Sequence, residues 1–427
     1  MADSKILKEK LASGDYDARL KAVYLSDKAV ADQKERLAVI IDEYVKLFGD
    51  NENIELFSAP GRTEVGGNHT DHNHGKVLAA SVDLDTVAAA AKRDDSVIVE
   101  KSFNFDALEV DISDLNIHTE EFGKSSGLIR GMCAGFVEYG YKIGGFNAAS
   151  MSRVLSGSGL SSSAAYEVLI GTILNHLYND GKVSAVDIAK IAQFAENKYF
   201  GKPCGLMDQM ASSVGSFITI DFKDPSEPII KKVNFDFASC GHALCIIDTG
   251  GDHADLTDDY AAVRGEMEQA AEVFGKSVLR DVDETEFMRN ISLVREKVND
   301  RAVLRAMHFY AENKRAEAEV KALESGDFDA FKELVTESGR SSYMYNQNVF
   351  TTKDVAHQGV SLALAMCEYL LKGKGAWRVH GGGFAGTVQA FVPVDMLDDF
   401  CEKIEAVFSK GSCHVLSIRP FGGIKLL

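Results

Sequence analysis

A chain of 427 residues, 45% of them hydrophobic, is long enough for two or three domains with proper apolar cores, which excludes a disordered or fibrous protein. Its formal net charge of -18 argues against a nucleic-acid binder, because releasing counterions from a polyanion requires a basic surface. No apolar run approaches a membrane span, and the N-terminal MADSKILKEKLASGDYDARL is charged and has no signal-peptide core, so the expected location is the cytoplasm.

Residues 29–48 (AVADQKERLAVIIDEYVKLF) place apolar side chains at three- and four-residue spacing, which predicts an amphipathic helix that Gly49 ends. An extended piece at 54–58 follows. The run APGRTEVGGNHTDHNHG, Ala59 to Gly75, then concentrates ionisable groups, amides and glycines. His69, His72, His74 and Asp71 suggest a zinc site, whereas Arg62, Asn68, Asp71 and the glycines look like a cradle for a many-hydroxyl ligand. Residues 84–91 and 96–101 flank the polar turn Lys92-Arg93-Asp94-Asp95 and read as a β-hairpin.

Glycines and small hydroxyl residues, Leu155 to Ala165 (LSGSGLSSSAA), precede a helix predicted over 161–179, with Gly181 just past its end. Such a junction suits an anion: glycines let backbone approach a phosphate, and the first turn's free N–H groups and the helix dipole point at it. Serine hydroxyls there can also reach a magnesium ion. A second helix starts at a Ser184 cap and ends near Tyr199. Beyond it come a strand at 242–248, long helical patterns between about 257 and 338, and a strand-like segment at 387–392. The mixture is α+β, with a boundary near residue 220.

Other site patterns fail or weaken on inspection. A P-loop would need glycine at position 270 or 118, where Ala270 and His118 stand. Gly381-Gly382-Gly383-Phe384-Ala385-Gly386 fits a dinucleotide pattern, yet no second βαβ half can follow it, so it reads as a loop where backbone approaches a ligand. The seven cysteines, at 133, 204, 240, 245, 367, 401 and 413, form no close pairs at metal-ligand spacing and read as reduced thiols. Asp208, just past the turn Gly201 to Gly205, is a candidate base.

Together, Gly61 to Asn73, Gly159 to Ala164, Pro203 to Gln209 and Gly381 to Thr387 resemble the sugar-binding, phosphate-binding and C-terminal glycine motifs of the galactokinase branch of the GHMP kinases. The resemblance covers about residues 55 to 420 and leaves the first fifty unplaced. It implies a two-domain α+β fold, an N-terminal ribosomal-protein-S5-like domain (1–220) and a C-terminal ferredoxin-like domain (221–427), with the active site between them. The implied reaction moves the ATP γ-phosphoryl group to the anomeric hydroxyl of a sugar, galactose first.

By the same resemblance Asp208 is the catalytic base and Arg62 its partner. Ser163 and Glu196 ligate Mg2+. Backbone N–H groups of Gly157, Ser158, Gly159, Leu160, Ser161 and Ser162 hold the ATP phosphates, and His69, Asp71, Gly205 and Tyr260 contact the sugar. The chain departs from the family where Asn and, four residues on, Glu are expected: it carries Glu64 and Asn68. Asn68 is then expected to hold the sugar's primary hydroxyl through a neutral bond, weaker than a charge-assisted one. That exchange leaves N-acetylgalactosamine, arabinose and galacturonate as alternative substrates. A sugar-sensing regulator on the same fold is the alternative class, against which the intact Ser161-Ser162-Ser163-Ala164, Arg62 and Asp208 count.

Overall fold

The computed structural model describes residues 3–50, 53–155, 159–251 and 256–427. The first strands are β1 (Glu55–Gly66), β2 (Lys76–Lys92), β3 (Val97–Ser102), β4 (Leu108–Asp111), β5 (Phe146–Ser152), β6 (Phe217–Asp221) and β7 (Ile229–Val233). They are followed by β8 (His242–Asp248), β9 (Ala376–Val379), β10 (Thr387–Pro393), β11 (Cys413–Leu416) and β12 (Ile424–Lys425). One sheet runs β12-β1-β2-β5-β3-β4, with β6 also on β2 and β7 on β6; the other runs β11-β8-β10-β9.

The first sheet is covered on both faces, which is why β2 reads as a continuous apolar run instead of an alternating one. Phe57, Ala88, Ala90 and Ala148 turn toward the helices Ser125–Glu138, Ser162–Asn179 and Ala185–Ala195. Their neighbours Leu56, Val87, Ala89 and Ala149 turn the other way, onto Leu20, Leu37, Ile41 and Tyr44. Residues 3–50 therefore form a helical layer of the fold. Its main helix, Asp27–Phe48, is capped by the Ser26 hydroxyl accepting from the Ala29 N–H and closes at Gly49, as the periodicity predicts.

The hairpin expected around Lys92–Asp95 does not form. Both strands exist, but β5 enters between them, antiparallel to β2 and parallel to β3. Gly145 is the reason: Arg93 donates its N–H to the Gly145 carbonyl, and the Gly145 N–H donates to Asp95 O. A Cβ at Gly145 would lie 2.4 Å from that Asp95 oxygen, so only glycine lets the strand in. The motif expected as one loop also divides: Arg62 and Glu64 lie on β1, between register shifts at Pro60/Arg62 and Glu64/Gly66, and only the histidine-rich part is a turn.

The second sheet packs the helices Gly359–Leu371 and Leu397–Phe408 on one face. Its other face joins Leu244, Ile246 and Phe391 to Leu78, Val65 and Phe217 of the first sheet in one core. Residue 220, where a boundary is expected, lies within β6, which pairs with β7 in the same sheet, and β12 returns from the C-terminal part to pair with β1. No described helix is long and apolar enough to cross a membrane.

Candidate active site

Asp208 stands in the first turn of the helix Met207–Val214 and Arg62 on the irregular stretch of β1 facing it. Arg62 Nε and Nη2 donate to the two Asp208 oxygens, each at 2.6 Å, in a bidentate pair. Ser161 Oγ donates to the same carboxylate at 2.8 Å. Enclosure in the cleft pushes the Asp208 carboxyl up, but the charge and hydrogen bonds of Arg62 and the Ser161 hydroxyl outweigh it and hold the group below the usual aspartate value. Asp208 is thus an ionised acceptor at neutral pH, with 31% of its side chain still accessible.

Arg62 also ties the glycine-serine loop to β1. Its backbone N–H donates to Leu160 O at 3.0 Å and its Nη1 to Gly159 O. Ser161 sits in the left-handed region, φ 55, immediately before the helix Ser162–Asn179, a strained position of the sort active sites retain. The expected phosphate-binding residues Gly157 and Ser158 lie outside the described residues. Leu160 is buried, whereas Ser161, Ser162 and Ser163 remain partly open at the helix start.

Glu196 occupies the π-helical turn Glu196–Phe200 and is 3% exposed. The amide of Gln209 bridges it, at 2.7 Å, to Glu167 at 3.2 Å. Glu167 was not anticipated from sequence. It lies one turn after Ser163 on the same helical face, as a lone carboxylate in an apolar stretch, which was the available signal. Burial, and then the charge of Glu196, push its carboxyl well above the usual range, and its Oε1 is buried without a hydrogen-bond partner.

Asp71 and Gly205 line a cavity of about 320 Å³ together with His72, Cys204 and Arg264. Burial and the charge of Glu64 raise the Asp71 carboxyl. His69 Nε2 is bonded to Gly382 O at 2.9 Å and its Nδ1 faces His72 Nε2 at 3.4 Å. Tyr260 donates its hydroxyl to Gly383 O at 2.9 Å, so the C-terminal glycine loop closes over this side of the site. Gly205→Ala would put a Cβ 2.9 Å from Asp71 Oδ2 and force that carboxylate to turn. On the sugar-contact role that the sequence resemblance implies for Asp71, the expected result is a KM for the sugar raised about tenfold, at little cost in stability, read by steady-state kinetics beside thermal unfolding.

Asn68 departs from expectation. It is fully buried, its Nδ2 donates to Glu64 Oε1 and Gly381 O, and its Oδ1 accepts from Asn348 at 2.9 Å and Ser342 at 3.2 Å. All four bonding positions of the amide are taken by protein groups, so it is placed to fix the turn and not to hold a sugar hydroxyl. Glu64 is drawn inward by the fully buried Arg378, which also donates to Val65 O at 2.7 Å. Arg378, 314 positions after Glu64, and Asn348, 280 after Asn68, were beyond local reading.

The galactokinase galactose-binding signature matches residues 42–92 and the GHMP kinase N-terminal domain matches 127–216. A galactokinase of Clostridium beijerinckii is 31% identical over 90% of this chain and 98% of its own length. One from Streptomyces coelicolor is 30% identical over 83% of this chain and 88% of its own. The structure of Lactococcus lactis galactokinase complexed with galactose superposes with a TM-score of 0.77 at 26% identity, over 91% of this chain and all of that one. The mevalonate kinase of Methanococcus jannaschii, 14% identical, shares the fold with a TM-score of 0.61 over 86% of this chain and 98% of that one.

Proposed function

The chain belongs to the galactokinase family of the GHMP kinases, and from that premise we propose that it transfers the ATP γ-phosphoryl group to the anomeric hydroxyl of galactose. The observation that carries the reading is the bidentate Arg62–Asp208 pair with Ser161 on the same carboxylate. Asp208 accepts the proton of the attacking hydroxyl. A carboxylate held below its usual pKa is a weak base, which suffices where the transition state is loose and charge sits mainly on the transferred group. Arg62 keeps Asp208 ionised and oriented and offers its charge to the phosphoryl oxygens. His69, Asp71, Gly205 and Tyr260 form the sugar side, and residues 157–162 the phosphate side. The two domains would divide as residues 1–220 and 221–427, with the cleft between them.

The donor set fits magnesium: Ser163 and Glu196 supply hard oxygens, and the unpartnered Glu167 Oε1 points to a polar ligand that the protein alone does not provide. Bound there, the ion would neutralise charge on the β- and γ-phosphates. Gln209 holds the Glu196 and Glu167 carboxylates in register for it.

The test is ADP release with Mg-ATP across galactose, N-acetylgalactosamine, arabinose, glucose and galacturonate, with Asp208→Asn as the blank. Turnover on galactose well above the others supports the proposal. A preference for another sugar would reassign the substrate, and sugar binding without ADP release would place the chain among sensors.

A further inference from the structure

Cysteines that sequence spacing leaves scattered are gathered by the fold. Cys245 on β8, Cys367 on the helix Gly359–Leu371, Cys401 on Leu397–Phe408 and Cys413 on β11 share the outer core of the second sheet. Cys413 stands opposite Ile247 and Val415 opposite Cys245, so Cys413 and Cys245 face the same helix two residues apart across the ladder. The sulfurs of Cys245, Cys401 and Cys413 lie within 4.8 Å of one another, and those of Cys401 and Cys413 are in contact at 3.4 Å. All are free thiols, and none belongs to the kinase site.

Two chemistries suit three such sulfurs, and charge decides between them. Zinc with three thiolates carries net charge -1 and copper(I) with three carries -2. Here such a charge would sit among Phe400, Ile404 and Val392, and the charged groups acting on Cys401 are the carboxylates of Glu405 and Asp398. A buried anion in apolar, acidic surroundings is unfavourable, whereas a disulfide is neutral.

We propose that Cys401 and Cys413 are a reversible oxidation site, closing to a disulfide when the protein meets a hydroperoxide, with Cys245 as the neighbour that prepares Cys401. Cys401 is the partly exposed member and Cys413 the buried one, so the oxidant reaches Cys401 first. The neighbouring sulfurs of Cys245, and then of Cys413, draw the Cys401 thiol below the usual cysteine value against its burial and the carboxylates of Glu405 and Asp398, which makes Cys401 the member that reacts as a transient thiolate, where a metal would need three permanent ones. That thiolate attacks the hydroperoxide: an S–O bond forms, the O–O bond breaks, and the departing alkoxide takes a proton and leaves as alcohol. Cys413 sulfur, losing its proton, then attacks the sulfenic sulfur of Cys401. An S–S bond forms, the S–O bond breaks, and hydroxide leaves with that proton as water. Two thiols lose two electrons and one hydroperoxide gains them.

The test treats the full-length reduced protein with stoichiometric hydrogen peroxide and titrates thiols under denaturing conditions. Two of the seven thiols should disappear and return with dithiothreitol. Trypsin cuts at Lys403 and Lys410, between the two cysteines, so the bond appears by mass spectrometry as a linked peptide pair. Cys401→Ser should lose no further thiols, and Cys413→Ser should leave a trappable sulfenic acid on Cys401; thermal unfolding confirms that both variants fold. A link from Cys401 to Cys245, sulfinic acid on Cys401 with no link, or one zinc per chain released as these thiols become titratable would each overturn the proposal.

Discussion

Asp208→Asn is expected to lower kcat by about 10²- to 10⁴-fold, the range over which a positioned general base acts. The substitution keeps the shape and one acceptor for Arg62, so it removes proton acceptance and charge without opening a hole beside the phosphate loop. With Asp208 acting on the reacting hydroxyl alone, as proposed, the sugar's Kd should stay within about tenfold, a loss confined to the transition state. Single-turnover kinetics beside calorimetric titration of galactose separates the two quantities. A kcat within tenfold of the unmodified enzyme would remove Asp208 from the role of base and leave Arg62 and the bound phosphates as the main source of rate.

The second large effect is on stability. Asp85 on β2 is fully buried, bound by Arg36 Nη1 at 2.5 Å, Arg419 Nη1 at 3.0 Å, the Tyr24 hydroxyl at 2.6 Å and the Ser58 hydroxyl. Arg36 further donates to Met151 O at 2.7 Å. One carboxylate thereby joins the N-terminal helices, β1, β2 and the segment ahead of β12. Asp85→Ala strands two buried guanidinium groups, and the expected loss is about 3–5 kcal/mol, as for breaking other buried ion pairs. Burial pushes the Asp85 carboxyl up, but Arg36 and Arg419 outweigh it and bring it below the ordinary aspartate range. With the folded value depressed, the contribution is present above about pH 4 and is lost as pH falls through the folded value. Urea unfolding from pH 7 to pH 3 should therefore show wild type losing stability at the acid end while Asp85→Ala, already without this term, changes less. Equal acid slopes would show that Asp85 is not a determinant of acid lability.

Local signals carried the elements well and their pairing poorly. The helix Ser162–Asn179 and strand β8 stand where period and residue type put them, because both depend on neighbours a few positions away. The place of β5 depends on Gly145 meeting Asp95 about fifty residues earlier, which no window of that size contains. The same limit separates the site's two halves. Arg62, Ser161 and Asp208 were legible because each lies in a short dense motif and the fold brings the motifs together. The surroundings of Asn68 were not legible because its four partners come from Glu64, Gly381, Asn348 and Ser342, three of them remote in sequence. Asp85, one of two carboxylates, with Asp83, in an otherwise largely apolar strand, was a signal of a buried network, but its cations at positions 36 and 419 left no local trace.

The seam between the two sheets sets how substrates enter. Arg378 to Glu64 and Val65, His380 to Thr63 at 3.0 Å, and Gln389 to Thr63 at 2.7 Å are buried directional bonds laid over a shared apolar core. Rotating one sheet against the other would strand all of these groups at once, so a hinge opening along this line is a rare event. Admission of sugar and release of product are therefore expected to fall to the stretch Gly201–Gly205, which makes none of these bonds, because the glycine loop that follows His380 is held by Asn68, His69 and Tyr260. The sheets supply a fixed floor, and the rate at which the site opens should be set by that one short segment.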